Sequence, residues 1–591
     1  MGDRRGTCAE TTSWLARIAA SIFVIGTAVA GSLTSEANSA QAIDYLNTRP
    51  GVEYVGDEPC RECHQARYET FKRTGMGRSM SRPRADGLGA FSKPVTLQSG
   101  RDGAVYSVYG RNGKLFHRVE QLDSAHKPVF TETHEVAYTV GSGDHGQSYF
   151  IDRDGFLFLS PLSFYSSPKK WDLSPGYESG LYRGFTRPAG DLCVSCHSGL
   201  SRPIPGTMNQ VGTPAFQILS IGCERCHGPG ALHIADRRAA KALDGPTDRT
   251  IVNPRDLSAR LRDDVCYQCH LAGEARVQRP GKHIMDFRPG TPLDDNVVVF
   301  LVPASLKVGG FQALGQPEQI QMSRCRQPDG VRLDCITCHD PHLQQSGAGV
   351  MKYFDAKCIK CHAPETGRFA LAHGSRKPPV AGCITCHMPK KTLANIAHTS
   401  LTDHRIPRFP DGARTPLAQP DIDSATNLIW PARPPGRAPD LRTLALAFAQ
   451  LAPNYPGYGE RGFPVLERAA QEFTNDPDIQ AAYGQVLLEV SPDYRARARQ
   501  VLERAISAGS KSVAARRRLA QLLLEEGDAR WQGLLTEVIR LEPYNAENHL
   551  QLARSYVVTG NSREAFKALQ QVISFDPGNP EARKMLRELP P

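Results

Sequence analysis

One pentapeptide pattern, Cys-x-x-Cys-His, occurs seven times in this chain, at Cys60–His64, Cys193–His197, Cys223–His227, Cys266–His270, Cys335–His339, Cys358–His362 and Cys383–His387. With the inner partners Cys63, Cys196, Cys226, Cys269, Cys338, Cys361 and Cys386, the motifs consume 14 of the 16 cysteines. Two thiols three residues apart followed at once by an imidazole is the attachment sequence of c-type haem. The thiols add to the haem vinyl groups, and His64, His197, His227, His270, His339, His362 and His387 become proximal iron ligands. Zinc ribbons also use paired cysteines, but they do not require a histidine after every pair. Seven covalent haems are therefore the expected cofactors.

Composition fits that expectation. Hydrophobic residues make up 40% of the 591-residue chain, a modest share for a length that allows two to four domains. Porphyrin is expected to supply part of the core. At the N-terminus, Arg4, Arg5 and Arg17 accompany an apolar run from Ile18 to Leu33, and Ala40-Gln41-Ala42 offers a cleavage site. This reads as a secretory signal over 1–42 and places the protein in the periplasm. The run is short of the roughly 20 apolar residues of a membrane span, so an uncleaved anchor is the alternative, and no later segment is apolar enough to span. The formal charge of +10 does not point to nucleic acid. Fourteen propionates would bring the holoprotein to about +3 oxidised or about −4 reduced.

Residues 43–90 form the first haem segment. A short helix is expected over Gln65 to Thr74, with Phe71 seven residues after His64 and Met76 five further on. The order of these features resembles the opening of the nitrification tetrahaem cytochrome family, relatives of hydroxylamine oxidoreductase and the pentahaem nitrite reductases. The family usually has a histidine where this chain has Met76. The resemblance implies that Met76 is the distal ligand of the first haem, which would raise its potential; Met80 is the weaker candidate.

Residues 91–190 lack the motif and read as a β-rich insertion. Short β-leaning runs at Val95–Gln98, Ala104–Tyr109, Leu115–Glu120, Val129–Thr133, Val136–Val140, Tyr149–Ile151 and Phe156–Leu159 alternate with turn sequences such as Asn112-Gly113 and Asp154-Gly155. Such alternation predicts an antiparallel meander. His145, in a tight glycine-rich loop, could reach an iron. His117, His126 and His134 are ordinary sheet or loop residues.

Residues 191–405 carry six motifs in about 200 residues, too few for an independent side-chain core, so the haems must stack on one another and on their peptide. In the multihaem family, histidines placed like His233, His283, His342, His398 and His404 are distal ligands to neighbouring haems. With His145 and His373 they make seven candidates for seven irons even without Met76. Cys325 has no partner once Cys8 leaves with the signal, and reads as a buried inert thiol.

A proline-rich linker spans 406–440. From 441 to 591 the chain becomes helical. Ala553, Tyr556, Ala565, Leu569 and Pro577 fall where the 34-residue tetratricopeptide repeat wants small, aromatic, small, large and proline residues. Such repeats stack into a superhelix with a concave partner surface.

The expected fold is thus multidomain: a mostly irregular and α-helical multihaem core, an antiparallel β insertion and a C-terminal α–α superhelix. The expected function is electron carriage along stacked haems, with the repeats docking a redox partner protein. The alternatives are a multihaem oxidoreductase of nitrogen or sulfur compounds with one open haem, and an assembly scaffold. The nitrite reductases typically put lysine in place of the motif histidine at their catalytic haem, and all seven motifs here keep histidine. For the oxidoreductase, haem 1 under the insertion is the expected open site. Intact mass of the exported protein should exceed the apo mass by seven haems, and zinc without haem would overturn the motif reading.

Overall fold

Hairpin turns shape the insertion. Asn112 and Gly113, at φ 53° and 73°, and Asp154 and Gly155, at 53° and 82°, hold left-handed backbone. Only such residues turn two-residue hairpins with the twist of their strands. The first turn joins Ala104–Arg111 to Lys114–Leu122, the second Gly146–Arg153 to Phe156–Leu159. The computed structural model describes residues 43–84, 94–99, 103–123, 125–178, 184–243, 245–303, 315–326, 333–363, 382–392, 398, 400–407, 422–434 and 436–589. The leader, His373 and part of the proline-rich stretch lie outside them.

The insertion consists of two antiparallel sheets. Val95–Gln98, Ala104–Arg111, Lys114–Leu122 and Pro128–Glu135 make the first. The second includes Met80–Ser81, Tyr138–Val140, Gly146–Arg153, Phe156–Leu159 and Arg187–Pro188, with Leu162–Tyr165 and Lys170–Leu173 off its edge. Met80 pairs with Val140, so the first haem segment ends as a strand of this sheet. Tyr106, Val119, Tyr149, Ile151, Trp171 and Phe185 pack between the sheets. All seven expected runs contain strand. Leu162–Tyr165 escapes the alternation test because all four of its residues are buried.

Nine helices follow among the described residues from 441 onward. Their odd-numbered members start at Leu441, Pro477, Val513, Ala546 and Pro580, recurring after 36, 36, 33 and 34 residues. Each of the five is capped by a side chain that accepts a backbone N–H: Asp440, Asp476, Ser512, Asn545 and Asn579. Fully buried Ala498, Ala505, Ala515, Ala553 and Ala565 let paired helices approach closely. Four helix pairs and a closing helix form a multidomain chain's helical repeat region of tetratricopeptide type.

That region is anchored at both ends. Leu441–Leu451 packs on the hairpin of Ala275–Gln278 and Val297–Phe300, and Phe300, Trp430, Leu446 and Phe448 share one core. Arg279 donates to Asp440 and to Thr443 at 2.7 Å. At the far end, Tyr544 lies edge-on to Phe156, Phe158 and Phe575, and Arg153 donates to the Phe575 carbonyl at 3.1 Å. The described part of the expected linker carries regular structure. Ile422–Asp423 pairs with Leu428–Ile429, and Trp430 is buried. The prolines suggested stiffness, but Leu428, Ile429 and Trp430 supply apolar area that packs on Leu301 and Phe300.

His117 is fully buried between Tyr149 and Trp171, with Nδ1 2.6 Å from Ser160 Oγ. Burial pushes its pKa from 6.5 down to about 3, so it is neutral in the fold. A depressed folded value contributes stability that is full above pH 6.5 and is lost as pH falls toward about 3. Global stability from denaturant unfolding should fall across that window, and His117→Gln should flatten the dependence. An unchanged slope in the variant would contradict the assignment.

Candidate functional site

The first motif rides on the Glu58–Phe71 helix, which breaks at His64 (φ −113°, ψ 34°) and so releases that imidazole from the helical run. The third motif sits in a short helix tied to residues 55–56 by Glu224. Its buried carboxylate accepts from Val55 N at 2.9 Å, Gly56 N at 2.8 Å and Gly230 N at 2.8 Å. Burial raises the Glu224 pKa against these donors.

Three motif histidines each face a histidine from outside the motifs. The His64 and His233 ring centres lie 6.3 Å apart with 17° between planes. His227 and His342 are 6.0 Å apart at 24°, and His339 and His404 6.2 Å at 27°. Two imidazoles trans on one metal, each at a bond of roughly 2 Å, would have ring centres about 6.3 Å apart. The separation thus leaves room for one metal atom between each pair.

Hydrogen bonds fix these rings. His233 Nδ1 is 3.0 Å from Asp248 Oδ2, His227 Nδ1 2.8 Å from the Val252 carbonyl and His404 Nδ1 3.0 Å from the Thr402 carbonyl. A ligating imidazole commonly anchors its second nitrogen this way, which sets its tautomer. Burial is the main cause holding the pKa values of His227, His339, His342 and His404 below the usual range. A neutral imidazole is the form that binds a metal.

Between the first two pairs lies a cavity of about 1490 Å³, lined by Cys60, Cys63, Cys223 and Cys226 with His64, His227, His233 and His342. Its volume exceeds the roughly 300–1,000 Å³ of a site for one drug-sized ligand. Arg67, Arg237, Arg238, Arg255 and Lys357 also line it, and Arg237 Nε is buried without a hydrogen-bond partner. Four thiols, two imidazole pairs and a cationic wall fit two macrocycles that carry carboxylates. Among the described residues no three His, Cys, Asp or Glu side chains converge as a compact metal-ion site would require, so the cysteine pairs do not form a zinc tetrahedron there.

Other expected ligands sit elsewhere. His233, not Met76, faces His64; Met76 is half-buried on the turn after the helix, its carbonyl accepting from Ser79. His283 spends both nitrogens locally, Nε2 on Asp191 at 2.9 Å and Nδ1 on Met285 N at 3.1 Å. His398 lies against the second sheet, with Nε2 2.9 Å from Asp172 Oδ2 and its ring beside Tyr165. Carboxylates from across the fold thus hold both rings, and neither ring is paired with a motif histidine here. His145 is exposed on its loop. Cys325 is half-buried. His387 Nδ1 is 2.9 Å from the Pro407 carbonyl, and His362 ends the Gly349–His362 helix. His197 and His270 are near neighbours, and the His270 charge adds to burial in lowering the His197 pKa. The sequence did not reveal Asp57 and Asp355, discussed below, although both stand three residues before a motif cysteine.

No family model matches the chain, and no curated protein matches it. Solved structures resemble about a quarter of it. TTC0263, a thermophilic TPR protein of Thermus thermophilus, is 14% identical over 25% of this chain and 80% of its own, with a TM-score of 0.21. MamA of Desulfovibrio magneticus is 20% identical over 25% and 84%, at 0.23. YrrB, described as a TPR protein with an unusual peptide-binding site, is 19% identical over 24% and 75%, at 0.21.

His233→Ala, His342→Ala and His404→Ala should each convert one low-spin iron to high spin and create a carbon monoxide site, whereas Met76→Leu should leave the spectrum unchanged. A ferric EPR spectrum altered by Met76→Leu and not by His233→Ala would reverse the assignment for the first haem.

Proposed function

We propose that the chain is an exported heptahaem c-type cytochrome that carries electrons along closely packed haems. The observation that carries the reading is the trio of imidazole pairs, each joining a motif histidine to one from outside the motifs at 6.0–6.3 Å. Each haem, when bound, would supply a one-electron iron centre. Two cysteines of each motif would hold it, and at these three sites the paired imidazoles would both bind the iron. Closed axial positions favour electron transfer over substrate binding. The cationic wall of the large cavity would pair with propionates and lower the cost of placing their charge there.

The repeats form the surface for a protein partner in this reading. Because both ends are fixed to the rest of the fold, the concave face is held at one orientation relative to the haem segments. That geometry suits docking a redox partner at a constant distance. No helix among the described residues is long and apolar enough to cross a membrane.

A second reading, an oxidoreductase with one open iron, gains from one observation. The paired motif imidazoles are those of the first, third and fifth motifs, and Cys193 packs on the cluster that holds Met80 and Tyr138 at the second sheet. The open position would then belong to the second or fourth motif rather than the first, where His233 stands opposite His64.

A redox titration of the holoprotein with carbon monoxide decides between them. The carrier reading expects seven electrons taken up per chain and no spectral shift with carbon monoxide. A shift assigned by His197→Ala to the second haem would move the function to the oxidoreductase.

A further inference from the structure

The attachment segments touch one another in a fixed pattern. The Cys60 and Cys223, Cys196 and Cys269, Cys266 and Cys335, and Cys358 and Cys383 thiols lie near enough to influence one another's ionisation. Two of these pairings are made by the same device. Asp57 stands three residues before Cys60, and Asp355 three before Cys358. Asp57 Oδ1 accepts from Cys223 N at 2.9 Å, while Oδ2 takes Lys72 Nζ at 2.6 Å. Asp355 accepts from Gly382 N at 2.7 Å and Cys383 N at 2.8 Å. Both carboxylates are buried.

The receiving motifs share a feature that the other five lack: a glycine directly before the first cysteine, Gly222 and Gly382. A Cβ on Gly222 would collide with the Asp57 carboxylate. Gly382 holds φ +89°, where a side chain is strained. The couple of Cys266 and Cys335 is built otherwise. Asp263 pairs with Arg326 at 2.5 Å, and Asp334 caps its own helix.

We propose that Asp57 and Asp355 are positioning residues that clamp the third and seventh attachment segments onto the first and sixth, fixing haems 1 and 3, and haems 6 and 7, as two contact couples. This rests on the haem reading above. Forming a thioether removes the thiol proton but leaves the backbone donors in place: Cys223 N on Asp57, beside Lys72, and Gly382 N and Cys383 N on Asp355. A charge-assisted bond from a buried backbone donor therefore persists in the loaded protein. Electron tunnelling falls steeply with distance between macrocycle edges, so a clamp on the peptide sets the transfer rate inside each couple.

The test uses the full-length holoprotein and the variants Asp57→Asn, Gly222→Ala and Asp355→Asn. Intact mass and peptide mapping count and place the haems. Low-temperature EPR and a redox titration then report coupling. Asp57→Asn and Gly222→Ala should both change the coupled signal of haems 1 and 3 and shift two midpoints. Asp355→Asn should do so for haems 6 and 7 alone. Loss of haem from the third motif in the first two variants, or from the seventh in the last, supports the clamp. Variants that retain seven haems with unchanged EPR and midpoints overturn it, as does haem loss confined to other motifs. Fewer than seven haems in the unaltered protein would instead overturn the haem reading.

Discussion

Three imidazole pairs held about one metal atom apart are the constraint around which the first half of this chain is organised. Nothing in side-chain packing alone would keep His64 and His233, or His227 and His342, at matched separations across a cavity of about 1490 Å³. Interiors close-pack when side chains are free to fill them. The β insertion and the helical repeats do fill theirs, with Trp171 and Tyr149 in one and Leu502, Leu519 and Leu535 in the other. Near the first and third motifs a small apolar cluster is formed by Tyr45, Val252, Leu257 and Val265. In the proposed account, porphyrin completes that part of the core.

The two self-sufficient regions hold the attachment segments in place. Met80 enters the second sheet nine residues after the Glu58–Phe71 helix that carries the first motif, and Ser79 Oγ donates to the His197 carbonyl at 2.7 Å. The sheet thereby ties the first motif to the second. Helix Leu441–Leu451 shares its core with the hairpin that follows the fourth motif, and Tyr544 seats the last repeat on the insertion. The repeats consequently act as a brace as well as a surface.

Local chemistry was legible in the sequence and long-range choice was not. Asn112-Gly113 and Asp154-Gly155 announced their hairpins, because few residues tolerate that backbone. The small residues Ala553 and Ala565 announced a repeat, because close helix packing needs them. Distal partners are different. Met76 is near His64 along the chain, but the helix ending at Phe71 turns it aside, and His233 reaches the facing position from a distant helix anchored by Asp248. The sequence did not show that Asp191 and Asp172 would hold His283 and His398. Which carboxylate will face a histidine is a property of the fold, not of the segment. The strand Leu162–Tyr165 was hidden because burial on both faces erases alternation.

The most direct measurement is a high-resolution structure of the protein purified from an exporting host, read at His64 and His233. The account predicts planar density between the two rings, covalently continuous with Cys60 and Cys63, and nitrogens about 4 Å apart across one iron. Rings in direct contact, or a site in which the cysteines share a single ion without a macrocycle, would contradict it.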